Sequence, residues 1–287
     1  MALTGRIPPE FGNLTFLVSL DLQSNNFYGN LPKEMAHLRR LRFVRLSFNN
    51  FSGEIPEELG QLQNLKLLAI ESNQLTGSIP FSIFNISGIE VIALTDNTLS
   101  GNLPAGMCGC LPMLKELQLS ENKLHDHMPL SLSNCSKLQI LSLLVNEFDG
   151  PIHREIGHLS NLQFLYLGKN HFEGTIPQEI GILGNLVELG LEINQLTGCI
   201  PISIFNISSL RMLLLELNNL IGSLPREVGN LTKLKRLILS ENMLTGEILK
   251  EVSNLIELVE IYLGFNKFTG SFPREIFNIS GMRLIEL

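Results

Sequence analysis

The chain has 287 residues, enough for a large core, yet it has no tryptophan and only 7% aromatic residues, so leucine and isoleucine must supply the apolar mass. A formal net charge of −7 argues against a nucleic-acid surface, which needs a basic face. No apolar run reaches the roughly eighteen residues of a membrane span. The opening MALTGRIPPE lacks the charged start and apolar stretch of a signal peptide.

From Leu3 onward one unit repeats, and the chain starts and stops inside a copy of it. Residues 62–80, LQNLKLLAIESNQLTGSIP, show it whole. The unit reads L-x-x-L-x-x-L-x-L-x-x-N-x-L-x-G-x-I-P. Eleven copies carry its asparagine: Asn25, Asn49, Asn73, Asn97, Asn122, Asn146, Asn170, Asn194, Asn218, Asn242 and Asn266. The step is 24 residues except between Asn97 and Asn122, where it is 25 and the extra residue lies near AGMCGCLP (105–112). Within a unit, Leu68-Ala69-Ile70 alternates at period two and predicts a short strand. EELGQL (57–62) predicts a short helical return. The asparagine amide is placed to bond backbone groups of its own and the neighbouring unit. Glycine allows a positive φ after the strand, and proline then stiffens the chain. A lone unit cannot bury its apolar face, so stability must come from stacking. The prediction is an α/β solenoid over 1–287 as a single domain. Its parallel sheet would line a concave face, with 3-10 or short helical segments on the convex face.

This unit resembles the plant-specific class of leucine-rich repeats, found in ectodomains of receptor-like kinases and receptor-like proteins and in secreted polygalacturonase inhibitors. SIFNISGI (82–89), SIFNISSL (203–210) and EIFNISGM (275–282) resemble receptor kinases related to immune receptors for microbial peptides. The resemblance covers the whole chain and implies a superhelix that binds a peptide or protein ligand, with a co-receptor kinase as a further partner. It also implies a serine/threonine kinase in the parent and the extracellular face of the plasma membrane as its place. Family members usually carry a cysteine-paired cap, a second cap, a membrane helix and a kinase. None is found here, so the sequence reads as an internal ectodomain fragment that is itself no enzyme, requires no cofactor and meets a membrane only through parts of the parent. A polygalacturonase inhibitor and a truncated, non-functional gene fragment are the alternatives.

Several positions stand out against the repeat. Seven N-x-S/T sequons occur at Asn13, Asn50, Asn85, Asn134, Asn206, Asn230 and Asn278. They read as N-glycosylation sites or as repeat spelling in which Ser or Thr starts the turn. Cys108 and Cys135 fall at core registers, where a free thiol acts as a small hydrophobe. Cys110 and Cys199 fall at polar ones. Cys110 and Cys135 lie about one step apart, which makes them a candidate disulfide.

NKLHDHMP (122–129) sets two histidines and an aspartate where NQLTGSIP stands in another copy. Stacking would align His125 with Asp149 and Glu173, with His127 nearby, as a weak divalent-metal candidate. That register is polar throughout, and a solvated His–Asp pair explains it as well. Asp126 replaces glycine and is among the residues that tolerate positive φ.

The outward strand columns give the ligand candidates. One column turns apolar from Tyr166 through Leu214 and Ile238 to Tyr262, and the next carries Glu192 and Glu216. This combination suits an extended peptide with basic and apolar side chains. Gly168, Gly190 and Gly264 are expected to let that ligand approach the backbone.

Overall fold

The computed structural model describes residues 2–287. The chain folds into two compact units, Met1–Phe148 and Asp149–Leu287. Each is built by stacking the same coil.

In the first unit, the strands Ser19–Asp21, Phe43–Arg45, Leu67–Ala69, Val91–Ala93, Glu116–Gln118 and Ile140–Ser142 pair in parallel. They pair residue for residue, as in Leu67↔Val91 and Leu68↔Ile92. The middle residue of each strand is buried, so these strands alternate as their period-two pattern requires. Returns such as Glu57–Gln61 and Phe81–Asn85 are 3-10 helices on the opposite face. Each of these two follows a proline that cannot extend the preceding strand ladder.

The second unit repeats this plan. Phe164–Tyr166, Glu188–Gly190, Met212–Leu214, Arg236–Ile238, Glu260–Tyr262 and Leu284–Glu286 form its parallel sheet. The core is leucine and isoleucine, with Phe172 and Phe205 among its fully buried large side chains.

The segment L-x-G-x reads as a turn in the sequence but forms strands of its own. Gln74–Ser78 pairs with Thr98–Gly101 in the first unit, and Gln195–Cys199 with Asn219–Ser223 in the second. Equal spacing brings identical extended segments side by side, and their backbone groups then pair rather than remain unsatisfied. Gly77 and Gly198 take φ of 72° and 75°, the left-handed region that the repeat's glycine allows.

The asparagine ladder is built as its register predicts. The Asn194 amide nitrogen donates to the carbonyls of Leu191 (3.1 Å) and Glu192 (3.2 Å) in its own coil and Leu167 (3.1 Å) in the preceding one. Its oxygen accepts the Phe172 N–H at 3.0 Å. The 25-residue step leaves this geometry intact. The Asn122 oxygen still accepts from Leu99 N–H at 3.0 Å, across 23 residues rather than the 22 seen at Asn97. The extra residue is absorbed on the opposite face, where the 3-10 turn shrinks to Met107–Gly109.

The disulfide differs from the expected one. Cys108 and Cys135 are bonded, with Cα atoms 5.1 Å apart, while Cys110 is exposed and unbonded. The expected partner of Cys135 was therefore wrong. Both bonded cysteines are buried and face inward from adjacent coils, whereas Cys110 has turned to solvent at the end of the shortened helix.

Candidate functional site

The concave face of the second unit brings the ligand candidates together. Parallel pairing stacks Tyr166 on Gly190, Gly190 on Leu214, Leu214 on Ile238 and Ile238 on Tyr262. Strand side chains alternate between faces, so this column points away from the leucine core. Leu214, Tyr166 and Tyr262 are half-buried, and Ile238 is 8% exposed.

Beside the column the backbone turns out of the strand at a register where φ is positive in every coil. Ile193 (52°), Leu217 (53°) and Phe265 (54°) hold it here. Their side chains are 38%, 40% and 78% exposed. These three follow the strands beside the column, and the sequence gives no sign of the conformation they adopt.

Charge is arranged in two ways on this face. Tyr166 donates its hydroxyl to Glu188 at 2.5 Å, and burial together with that carboxylate pushes the phenol pKa up. Arg236 bonds Glu260 at 2.8 Å. Glu192 and Glu216 behave differently. Each has a buried Oε2 with no hydrogen-bond partner among the described residues. Glu192 as a whole is only 8% exposed. Burial raises both pKa values, and for Glu216 the neighbouring Glu192 charge adds to the rise.

The glycines explain how a carboxylate comes to lie so deep. A Cβ on Gly168 would sit 2.3 Å from Glu192 Cδ, and one on Gly190 would sit 2.9 Å from its Oε2. The Glu192 side chain thus lies flat in a slot that two glycines leave open, with Tyr166 alongside. At Gly264 the Glu286 carboxylate takes the equivalent place, 2.6 Å from where a Cβ would be. The expectation that these glycines admit a ligand to the backbone therefore needs correcting: at Gly168 and Gly264 a glutamate from the following coil already covers it.

The remaining candidates lie elsewhere. His125 bonds its chain neighbour Asp126 at 3.1 Å on an exposed lateral strand, and Asp126 takes φ 67° in place of glycine. His127 and Glu173 are exposed and Asp149 half-buried. Among the described residues no group of three or more metal-ligating side chains comes together. All seven sequon asparagines are exposed, and six of them end a 3-10 helix, away from the concave sheet. Asn50 instead opens the lateral strand Asn50–Glu54. Among the described residues no helix is long and apolar enough to cross a membrane.

The family described as leucine-rich repeat region matches residues 122–279, with leucine-rich repeat matches also at 63–124, 40–62 and 16–38. The chain belongs to the leucine-rich-repeat family. No curated protein sequence matches it. Among solved structures, a TDR receptor is similar at 31% identity and TM-score 0.93, over 99% of this chain and 50% of that one. The Arabidopsis receptor kinase HAESA, solved with the peptide hormone IDA and the co-receptor SERK1, is similar at 30% identity and TM-score 0.67, over 99% and 55%. A Leptospira interrogans leucine-rich-repeat protein is similar at 35% identity and TM-score 0.80, over 99% and 69%. This leucine-rich-repeat chain thus spans about half the length of the plant receptors it resembles. The bacterial likeness shows that the coil is shared well beyond them.

Proposed function

We propose that this chain is the ligand-binding segment of a plant receptor-like kinase or receptor-like protein ectodomain. The concave face of its second unit would take an extended peptide. The observation that carries the reading is the apolar column of Leu214, Ile238 and Tyr262 flanked by exposed Ile193, Leu217 and Phe265. Exposed apolar residues are ordinary singly, but several on neighbouring coils with acids beside them mark a contact surface. The plant receptors it resembles support the reading, since one of them is solved with a peptide hormone and a co-receptor. On this view the parent joins a co-receptor kinase when it signals, carries its own serine/threonine kinase, and belongs to the immune-receptor-like group that the FNIS phrases suggest. All 287 residues then act as one repeat domain of the extracellular part. The seven exposed sequons carry glycans there. The buried Cys108–Cys135 bond suits the same oxidising compartment.

The test is calorimetry on the complete ectodomain with a peptide selected against it from a random-sequence library. Glu216→Lys combined with Tyr166→Ala should weaken binding at least about tenfold, the loss expected when a charged contact and an aromatic anchor go together. Unchanged affinity would exclude this face as the binding surface.

A further inference from the structure

We propose that Glu192 and Glu216 form a subsite for a single guanidinium, presented by an arginine side chain of a ligand lying along the Leu214–Ile238–Tyr262 column. The inference rests on the reading of this face as a peptide-binding surface and gives that surface a specific chemistry.

Three observations carry it. First, each carboxylate has an Oε2 that is buried yet accepts no hydrogen bond among the described residues. Each carboxylate takes a hydrogen bond from its own backbone, but a buried oxygen left unpaired beside it is costly, and proteins ordinarily pair it. Second, the available cations do not pair it. Lys169 and Arg236 act on these acids through space, but Arg236 is engaged with Glu260 at 2.8 Å, and no ion pair joins Lys169 to either acid among the described residues. Third, the slot is built. Gly168 and Gly190 leave the volume in which the Glu192 carboxylate lies, and any β-carbon at Gly168 would evict it.

The two acids occupy the same register in adjacent coils, so their backbones stand about 4.8 Å apart. A planar guanidinium with five donors can serve two acceptors at that spacing, which a point-like ammonium does less well. The Tyr166 ring borders the same slot, its Cδ1 3.3 Å from where a Cβ on Gly190 would stand. On binding, the two side chains turn their buried Oε2 atoms outward to meet the donors, and the cation offsets the Glu192 charge that adds to the effect of burial at Glu216.

The experiment uses the 287-residue chain made with isotopically labelled glutamate. N-acetylarginine amide is titrated near neutral pH while the carboxyl signals are followed by NMR. The expected result is a saturable shift at Glu192 and Glu216, absent with the neutral isostere N-acetylcitrulline amide. Glu192→Gln with Glu216→Gln should weaken the response by roughly tenfold or more, the usual loss when a charge-assisted pair is removed. Gly168→Ala provides the second variant: it keeps both charges but displaces one, and it should weaken the same response. An equal response to citrulline, a stronger one to N-acetyl-lysine amide, or a response that survives both variants overturns the assignment.

A parallel screen of a random-sequence peptide library, with Leu214→Asp as the subtraction variant, separates this inference from its parent reading. Leu214-dependent peptides that lack arginine overturn the subsite and leave the peptide surface standing. If no Leu214-dependent peptide emerges, the peptide surface itself fails, and the arginine amide titration alone then decides the subsite.

Discussion

The two units use one coil, yet Glu90 in the first and Glu192 and Glu216 in the second lie in opposite environments. In the first, Glu90 lies between Lys66 (2.8 Å) and Lys115 (2.7 Å), and those two lysines hold its pKa down to about 2. In the second, Glu192 and Glu216 each keep a buried Oε2 with no hydrogen bond among the described residues, and burial pushes both pKa values up. Residue type is the same and so is the scaffold. What differs is the register, Glu90 before its strand and Glu192 after its own, and with it the side chain one coil away: a lysine beside Glu90, a glycine beneath Glu192. In a stacked array the neighbour 24 residues off decides whether an acid is a structural tie or an unsatisfied acceptor. The first unit's concave face satisfies much of itself, with Ser120 on Ser142 (2.6 Å) and Ser47 donating to Glu71 (3.3 Å). The second leaves two buried carboxylate oxygens, Glu192 Oε2 and Glu216 Oε2, without a hydrogen bond among the described residues.

The largest test concerns the framework. Breaking Cys108–Cys135 with paired serines removes a cross-link spanning 27 residues and should cost about 3 kcal/mol by chain entropy. Urea unfolding followed by hydrogen exchange should place the loss within 1–148. Equal loss in both units would contradict the nearest-neighbour character of a stacked array.

The asparagine ladder comes next. Asn97→Ala and Asn218→Ala each leave several buried backbone groups unpaired and should each cost roughly 2 kcal/mol. Similar values in the two units would show that the framework is common and the surfaces alone differ. A cost below a few tenths in either unit would remove the ladder from its role there.

The acids themselves give a signed prediction. The Glu90 pKa is lowered on folding, so its stabilisation is present above the ordinary carboxylate pKa near 4.5 and lost as pH falls toward about 2. Those of Glu192 and Glu216 are raised. Their contribution is fully present below about 4.5 and is lost as pH rises through their folded values. Glu192→Gln should therefore stabilise the protein near neutral pH by about 1 kcal/mol, the cost of an unpaired buried polar group. That gain should vanish in acid. Glu90→Gln should destabilise at neutral pH and become silent near its folded pKa. Denaturant midpoints at two pH values check all four signs, and a gain for Glu192→Gln that persists in acid would mean burial of charge is not its cause.

Much of the molecule is legible in its sequence because the coil is periodic. The strands, the asparagine ladder and the acid and apolar columns follow from counting in steps of 24, since each step repeats one geometry. What escapes depends on contacts between coils that counting does not weigh. Gly168 reads as an opening for a ligand because nothing in its own coil fills it, but Glu192 of the next coil does. Cys110 reads as the partner of Cys135 because about one repeat step separates the two in sequence. The usable signal is that Cys108 and Cys135 both hold core registers, so both have to face inward. The second parallel sheet escapes because glycine and proline there read as turn residues, although stacking turns a repeated bend into a ladder.

The smallest expected effect bears on why the second unit's surface is apolar at all. The register before each ladder asparagine takes φ near 50–60° in every coil, and Ser24, Asp96 and Lys169 fill it elsewhere. Ile193 holds φ 52° with a β-branched side chain that is 38% exposed. Left-handed backbone disfavours such a residue by roughly 1–2 kcal/mol, whereas asparagine tolerates it. Exposure offers little burial in return. Ile193→Asn should therefore stabilise the chain by about 0.5–1 kcal/mol, while Glu241→Asn at the same register should gain less because glutamate is unbranched at Cβ. If Ile193→Asn also weakens a peptide that binds through Leu214, the strained isoleucine is retained for contact rather than for folding. A destabilising Ile193→Asn would show instead that its side chain packs against the sheet, and the exposed strip would lose that member.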